Sequence, residues 1–262
     1  MPPRSAVRPR RLTDLLAAAG TAVLVSSCAD GPAAGGSDAA GPSSAAAGSS
    51  AAGESASGSS APAGEERASV EELTAALLPA EAFGPGAQVT TVNVQQLATN
   101  PGAVAPESTI DPDTCTQGVG GTQPAFTPDD GTIVAQTATT GTGVTVEVLV
   151  DAEDVEGLTP DLADLVASCP QVTVTAPDGS TATIDYTTLE VPDAGDFSEA
   201  VTANLALTGP DGTNVTLVSL LAVAVDGDRF LFLQQVGQAS APPDPAAFAT
   251  LFTDAFEAQQ DA

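Results

Sequence analysis

Residues 200–236 read AVTANLALTGPDGTNVTLVSLLAVAVDGDRFLFLQQV, and this stretch decides the fold. Three apolar runs, Ala200–Thr208, Thr213–Val225 and Arg229–Val236, are parted by Gly209-Pro210-Asp211-Gly212 and by Asp226-Gly227-Asp228. Asp-Gly between such runs is a hairpin signal, because glycine supplies the backbone angles that a tight turn needs. Three consecutive antiparallel strands are therefore predicted. Residues 215–225 are apolar at odd and even positions alike. A strand apolar on both faces must be covered on both, which predicts a central place in a sheet with helices over it.

Working upstream, Val172–Ala176 and Thr181–Thr187 flank Pro177-Asp178-Gly179-Ser180, a further hairpin. Ile133–Thr139 and Val144–Val150 join at Gly141-Thr142-Gly143. In the second of these, Val144, Val146, Val148 and Val150 alternate cleanly, the pattern of a half-buried strand. Gln88–Val94 reads as one more strand. Residues 99–130, rich in Pro, Gly, Asp and Thr, read mostly as loop around Cys115.

Three helices frame these strands. Ser69-Val70-Glu71-Glu72 is a capping box; it opens a helix with Val70, Leu73, Leu77 and Leu78 on one face, which Pro79 stops. Thr159-Pro160-Asp161 opens a second, with Pro160 at its first position. It buries Leu162, Leu165 and Val166 and ends near Cys169-Pro170. Asp244-Pro245 caps a third, with Phe248, Leu251, Phe252, Ala255 and Phe256 facing the sheet. Helices at both ends and in the middle of the strands predict an α+β fold, a twisted antiparallel sheet with packed helices, as a single domain over residues 69–262.

What precedes that domain is an address and a tether. Residues 1–28 read as a lipoprotein signal peptide. Arg4, Arg8, Arg10 and Arg11 form a positive start, and Leu15–Val25 is an apolar run of eleven residues, short of the roughly 20 that a spanning helix needs. The run ends in Val25-Ser26-Ser27-Cys28, which resembles the bacterial lipobox, and Cys28 is the predicted lipidation site. Arg10-Arg11 leaves the choice between general and twin-arginine export open. Residues 29–68, almost entirely Ala, Gly, Ser and Pro, hold too little apolar surface to offset the entropy of ordering. They read as a disordered tether, with a reach on the order of 35 Å.

Composition removes whole classes of chemistry. The 262 residues contain no His and no Trp, and their six bases are all Arg against 34 acids, a net charge of −28. Residues 1–27 carry four of those Arg and one acid, so the chain from Cys28 onward has two bases and 33 acids, a net −31. Histidine-dependent nucleophilic catalysis, lysine Schiff bases and histidine-ligated zinc are excluded. Nucleic acid and anionic lipid repel such a chain. Paired carboxylates could in principle cleave glycosides, but with 28 acids in residues 69–262 close pairs arise by chance. No catalytic residue, cofactor or metal site is expected. Asp129-Asp130-Gly131, Asp151-Ala152-Glu153-Asp154 and Asp226-Gly227-Asp228 could hold Ca²⁺, yet none has the full spaced ligand loop; they read as turns and a solvated face. Gly118-Val119-Gly120-Gly121 has no Lys behind it and reads as loop. Arg229, the one base in residues 69–262, could pair an anionic ligand or a neighbouring Asp, and the Asp is the expected partner.

Cys115 and Cys169 are the two cysteines left after Cys28. In an exported chain they are expected to bridge. The closed loop of about 55 residues is worth about 4 kcal/mol in the chain-entropy description. That contribution matters because ion pairs can add almost nothing here and like-charge repulsion opposes compaction.

The pattern over residues 70–260 resembles the actinobacterial PknH-like extracellular sensor domain, in the form of a free-standing lipoprotein. The resemblance rests on Leu77-Leu78-Pro79, Asp111-Pro112-Asp113-Thr114-Cys115, the alternating strand 144–150 and a helix leading into Cys169-Pro170-Gln171-Val172. Gly195-Asp196, the long apolar strand and the last helix after Pro242–Pro245 complete it. It implies a twisted antiparallel sheet with packed helices, a ligand-receiving cleft and a sensing or binding role without catalysis. The chain departs from the kinase members in lacking a kinase domain and in having one candidate disulfide where they carry two, so direct signal transfer across the membrane is not expected. Only Cys115 and Cys169 carry over, as a structural bridge; ligand-binding residues stay unassigned. The expected function is a membrane-anchored lipoprotein on the outer face of the cytoplasmic membrane, binding a small or lipidic ligand or an envelope protein. The alternative is an acidic structural or adhesive surface protein acting through divalent cations.

Overall fold

The structure, a computed structural model, describes residues 67–92, 107–116, 131–155, 157 and 159–260. The signal peptide with Cys28, the tether up to residue 66, Val94, Gly118–Gly121 and Asp129-Asp130 lie outside the described residues.

The hairpin series forms as its turns dictate. Strands β7 (Phe197–Thr208), β8 (Asn214–Asp226) and β9 (Arg229–Gln238) pair antiparallel, with Leu205 opposite Leu217 and Val223 opposite Phe232. Gly212 and Gly227 sit at φ 80° and 56°, a conformation that side-chain-bearing residues resist. The other strands are β1 (Gln88–Val92), β2 (Thr109–Asp111), β3 (Thr132–Thr139), β4 (Gly143–Asp151), β5 (Gln171–Thr175) and β6 (Thr181–Thr188). All nine join one sheet in the order β1-β3-β4-β9-β8-β7-β6-β5-β2, and every pair in it is antiparallel. β8 stands in the middle, where its two apolar faces require it to be.

The α-helices among the described residues are α1 (Val70–Ala75), α2 (Leu162–Ser168) and α3 (Pro245–Gln260). α1 carries the full capping box: the Glu72 amide donates to Ser69 Oγ at 3.2 Å and the Ser69 amide to Glu72 Oε2 at 2.8 Å. The Ser69 amide and the Ser69 hydroxyl, both donating to Glu72 Oε2, favour the ionised carboxyl of Glu72 and hold it below its ordinary range. Asp161 is the cap of α2, so Pro160 lies just outside that helix rather than at its first position. Asp244 accepts from the amides of Ala246 and Ala247 and starts α3. Among the described residues no helix is long and apolar enough to cross a membrane.

One face of the sheet packs Val134, Leu149, Leu220, Ala222, Leu231 and Leu233 under α1 and α3, with Leu73, Leu78, Phe248 and Phe252 fully or nearly fully buried. The other packs Ile133, Val148, Val150, Leu221, Val223, Phe230 and Phe232 against Leu162, with Leu165 and Val166 of α2 alongside. This second core runs on into a cluster of Cys115, Cys169, Val172, Val174, Ala182 and Tyr186.

The α+β expectation is corrected: the fold is mostly β, a nine-stranded antiparallel sheet with few helices. The helical signals exist, but they do not build helical layers. α1 has six residues because Pro79 follows closely, and α2 has seven because Pro160 and Cys169-Pro170 bracket it; only α3, at 16 residues, is long. Strands β7 to β9 run for 12, 13 and 10 residues. Two smaller readings also change. Val70 is 62% exposed rather than core. β4 is buried on both faces from Thr145 onward rather than half-buried, since α1 and α3 cover the face that carries Thr145, Glu147 and Asp151.

Candidate functional site

A groove with the dimensions of a ligand site lies at the start of α2. Side chains alternate along β7, so Phe197, Glu199 and Val201 share the face that α2 covers. The groove, about 430 Å³, runs between Leu162 and Ala163 of α2, Ser198–Val201 of β7 and the connection that includes Leu189, Glu190, Val191 and Asp193. Leu162, Leu189, Val191 and Val201 supply its apolar lining.

Its electrostatics are one-sided. Glu199 Oε2 accepts from the Leu162 amide at 2.8 Å and the Ala163 amide at 3.0 Å, and Asp161 Oδ1 accepts from the Asp164 amide at 2.6 Å. The first amides of a helix are its free donors, and here carboxylates of the chain itself hold them. Glu190 and Asp193 add two more acids, and no base lines the groove. An anion entering it would meet three carboxylates and no free helix-start donor, whereas a neutral or cationic group is compatible with the lining. Glu199 carried no signal in the sequence: as one of 28 acids, nothing in its spacing marked it.

The acid runs are engaged locally. In Asp151-Ala152-Glu153-Asp154, Asp151 Oδ2 accepts from the Ala68 amide at 3.1 Å, Glu153 pairs with Arg67 at 2.6 Å, and Asp154 accepts from the Gly157 amide. In Asp226-Gly227-Asp228, Asp226 accepts from the Gln260 side chain and the Gly227 amide donates to Asp196. No three acidic side chains converge on a metal position among the described residues. Arg229 lies 4.0 Å from Asp151 and donates to the carbonyl of Gln259 at the end of α3. It thus pairs a neighbouring Asp and also satisfies an end carbonyl of a helix, where a cation is favoured.

Two features sit away from the groove. Cys115 and Cys169 are bonded, with their Cα atoms 5.7 Å apart and a sequence separation of 54. Glu147 on β4 is fully buried, and burial pushes its carboxyl up to about 7. The residue opposite it on β3 is Gln136, an amide, so the buried carboxyl pair that acid–base hydrolysis needs does not form there.

No family model matches the chain, and no curated protein does. Among solved structures, an uncharacterized Rv0999 ortholog from Mycobacterium smegmatis matches with 17% identity and a TM-score of 0.46, covering 73% of this chain and 95% of its own. The extracellular domain of PknH from Mycobacterium tuberculosis matches with 14% identity and a TM-score of 0.45, covering 76% of this chain and 100% of its own. The latter is the domain whose residue pattern the sequence resembles.

Proposed function

We propose that the chain is an exported lipoprotein, anchored through Cys28 to the outer face of the cytoplasmic membrane, with a sensor-like domain that holds a ligand in the groove at the start of α2 and performs no chemistry on it. The observation that carries this reading is the groove itself: about 430 Å³, within the range of small-molecule sites, with an apolar lining and helix-start amides already taken by Glu199 and Asp161. The ligand is a small molecule or lipid with a neutral or positively charged head, or an envelope protein presenting such a group. The absence of His and Lys from the sequence supports a non-catalytic role, as does the full burial of Glu147, away from solvent.

Native mass spectrometry of the protein purified from its own envelope tests the groove. Wild type is expected to retain a small molecule that Ala163→Trp, which fills the groove from an exposed position, releases. A bare wild-type protein whose melting temperature does not respond to envelope extract would overturn the reading. The anchor is tested separately: Cys28→Ala is expected to move the protein from the membrane fraction to the soluble one, and continued membrane retention would sink that part alone.

A further inference from the structure

The groove at the start of α2 carries negative charge that no base of the described residues offsets. There are two such bases, and both are engaged elsewhere. Arg67 pairs with Glu153 at 2.6 Å, and Arg229 lies 4.0 Å from Asp151 and donates to the Gln259 carbonyl. Three carboxylates line the groove, and they differ in what holds them. Glu199 is committed to the fold, because its Oε2 accepts from the Leu162 and Ala163 amides. Glu190 and Asp193, on the connection between β6 and β7, are exposed, and their carboxylates take no hydrogen bond or ion pair from the described residues.

Beside these acids the groove is apolar, lined by Leu162, Leu189, Val191 and Val201. Four classes of occupant meet this surface differently. An anion is repelled by all three carboxylates. A hard metal ion such as Ca²⁺ wants about six to eight converging oxygens, and no three acidic side chains converge on a metal position among the described residues. A neutral alkyl body matches the apolar lining but gains nothing from Glu190 and Asp193. An alkyl body with an ammonium end uses both: the body covers the apolar lining, and the charge sits by the two uncommitted carboxylates. A cleft lined by charge of one sign, with low-dielectric walls, focuses that attraction.

On the reading that the groove is the ligand site, we propose that it selects organic cations, an amine or quaternary ammonium on an alkyl or lipid body, with Glu190 and Asp193 as the recognition carboxylates. This narrows the ligand from neutral or cationic to cationic. One exposed ion pair is worth up to about fivefold in affinity, so two place the preference for a cation over its neutral counterpart on the order of tenfold. The preference shrinks as salt rises, because exposed charges are screened. The acidity of the whole chain gathers any cation near its surface. Selection is therefore read at the groove itself, against acids that lie elsewhere.

The test is a nuclear magnetic resonance titration of the full chain with three probes that share one alkyl chain: octylammonium, octanol and octanoate, at neutral pH and fixed ionic strength. The amides of Ala163 and Val201 report the groove. Octylammonium is expected to shift them with an affinity about tenfold above that of octanol, octanoate to leave them unmoved, and high salt to narrow the gap. Glu190→Gln with Asp193→Asn, both at exposed positions and close in size to the originals, is expected to erase the preference. Glu71→Gln with Asp254→Asn, two exposed acids outside the groove, is expected to keep it. Octanol matching octylammonium at those amides, or a preference that survives Glu190→Gln with Asp193→Asn, overturns cation selection and leaves the groove standing as a ligand site. Silence of both amides toward all three probes overturns it as well; whether the groove reading falls too is read separately, from the native mass spectrum.

Discussion

The two halves of the sheet are held in different ways. The half made of β1, β3, β4, β9 and β8 is buried on both faces, under α1 and α3 on one side and in the cluster of Val148, Val150, Leu221, Val223, Phe230 and Phe232 on the other. The half made of β7, β6, β5 and β2 is covered on the side of the Cys115–Cys169 bridge, where Val172, Val174, Ala182 and Tyr186 are buried. Its opposite side is a polar lattice. There Thr173 faces Thr183 at 3.4 Å, and Gln171 donates to Asp185 at 2.6 Å. Where both faces are buried, apolar packing does the work; where only the face under α2 is, a covalent cross-link stands beside a thinner core. In a chain with only two bases after Cys28, ion pairs could not have filled that role.

Four measurements would break or sharpen this contrast. The largest effect is expected in the half under α1 and α3: Phe252, the fully buried inner side chain of α3, should cost about 3–5 kcal/mol as Phe252→Ala, read by denaturant unfolding. A loss under 1 kcal/mol would show that α3 adds little to the core. Next, reduction of Cys115–Cys169 should cost about 2–4 kcal/mol and lower the melting temperature; an unchanged transition with both thiols shown free would refute a stabilising bridge. Third, stability should decline from pH 4.5 toward pH 8. The carboxyl of Glu147 is raised to about 7 in the folded chain, so the folded state holds a proton that the unfolded state has released. One raised acid contributes up to about 3 kcal/mol over that window, and Glu147→Gln should flatten the decline. A wild type whose stability instead rises over the window, unchanged by Glu147→Gln, would contradict this. Smallest of all, Thr183→Val on the polar lattice should move stability by under about 1 kcal/mol in either direction. A larger loss would mean that this face is more tightly ordered than a solvated one.

Much of the sheet was legible before its structure. Turns such as Pro210-Asp211-Gly212 and Asp226-Gly227-Asp228 announce themselves through glycine, and β8 declared its central position by carrying apolar residues on both faces. The bridge followed from there being one pair of cysteines to join. Strand order was less accessible: β4 lies against β9, some 80 residues later, and no local signal encodes such a pairing. β2 was missed because three residues in a Pro- and Asp-rich stretch show no period. The helix-rich fold was an over-reading of sound local signals, since caps and prolines mark where a helix starts and stops but not how much surface it covers. Glu147 shows the same limit at the site level. In Val144-Thr145-Val146-Glu147-Val148 the valines looked like the only inward face, and burial of the alternate face depends on α1 and α3, which arrive from opposite ends of the sequence. The groove was unreadable for a related reason, because Glu199 meets Leu162 only through the pairing of distant strands.

Asp151 and Arg229 bring the two ends of the described chain to one corner. Asp151 takes the Ala68 amide, and Arg229 beside it holds the carbonyl of Gln259. Start and finish are thus neighbours, separated by little more than two side chains. Such a layout suits circular permutation: a short linker from residue 260 to residue 67, with new ends opened in the exposed turn at Pro210-Asp211-Gly212, should leave the sheet intact. It would equally let the domain be spliced into a host loop without stretching either flank.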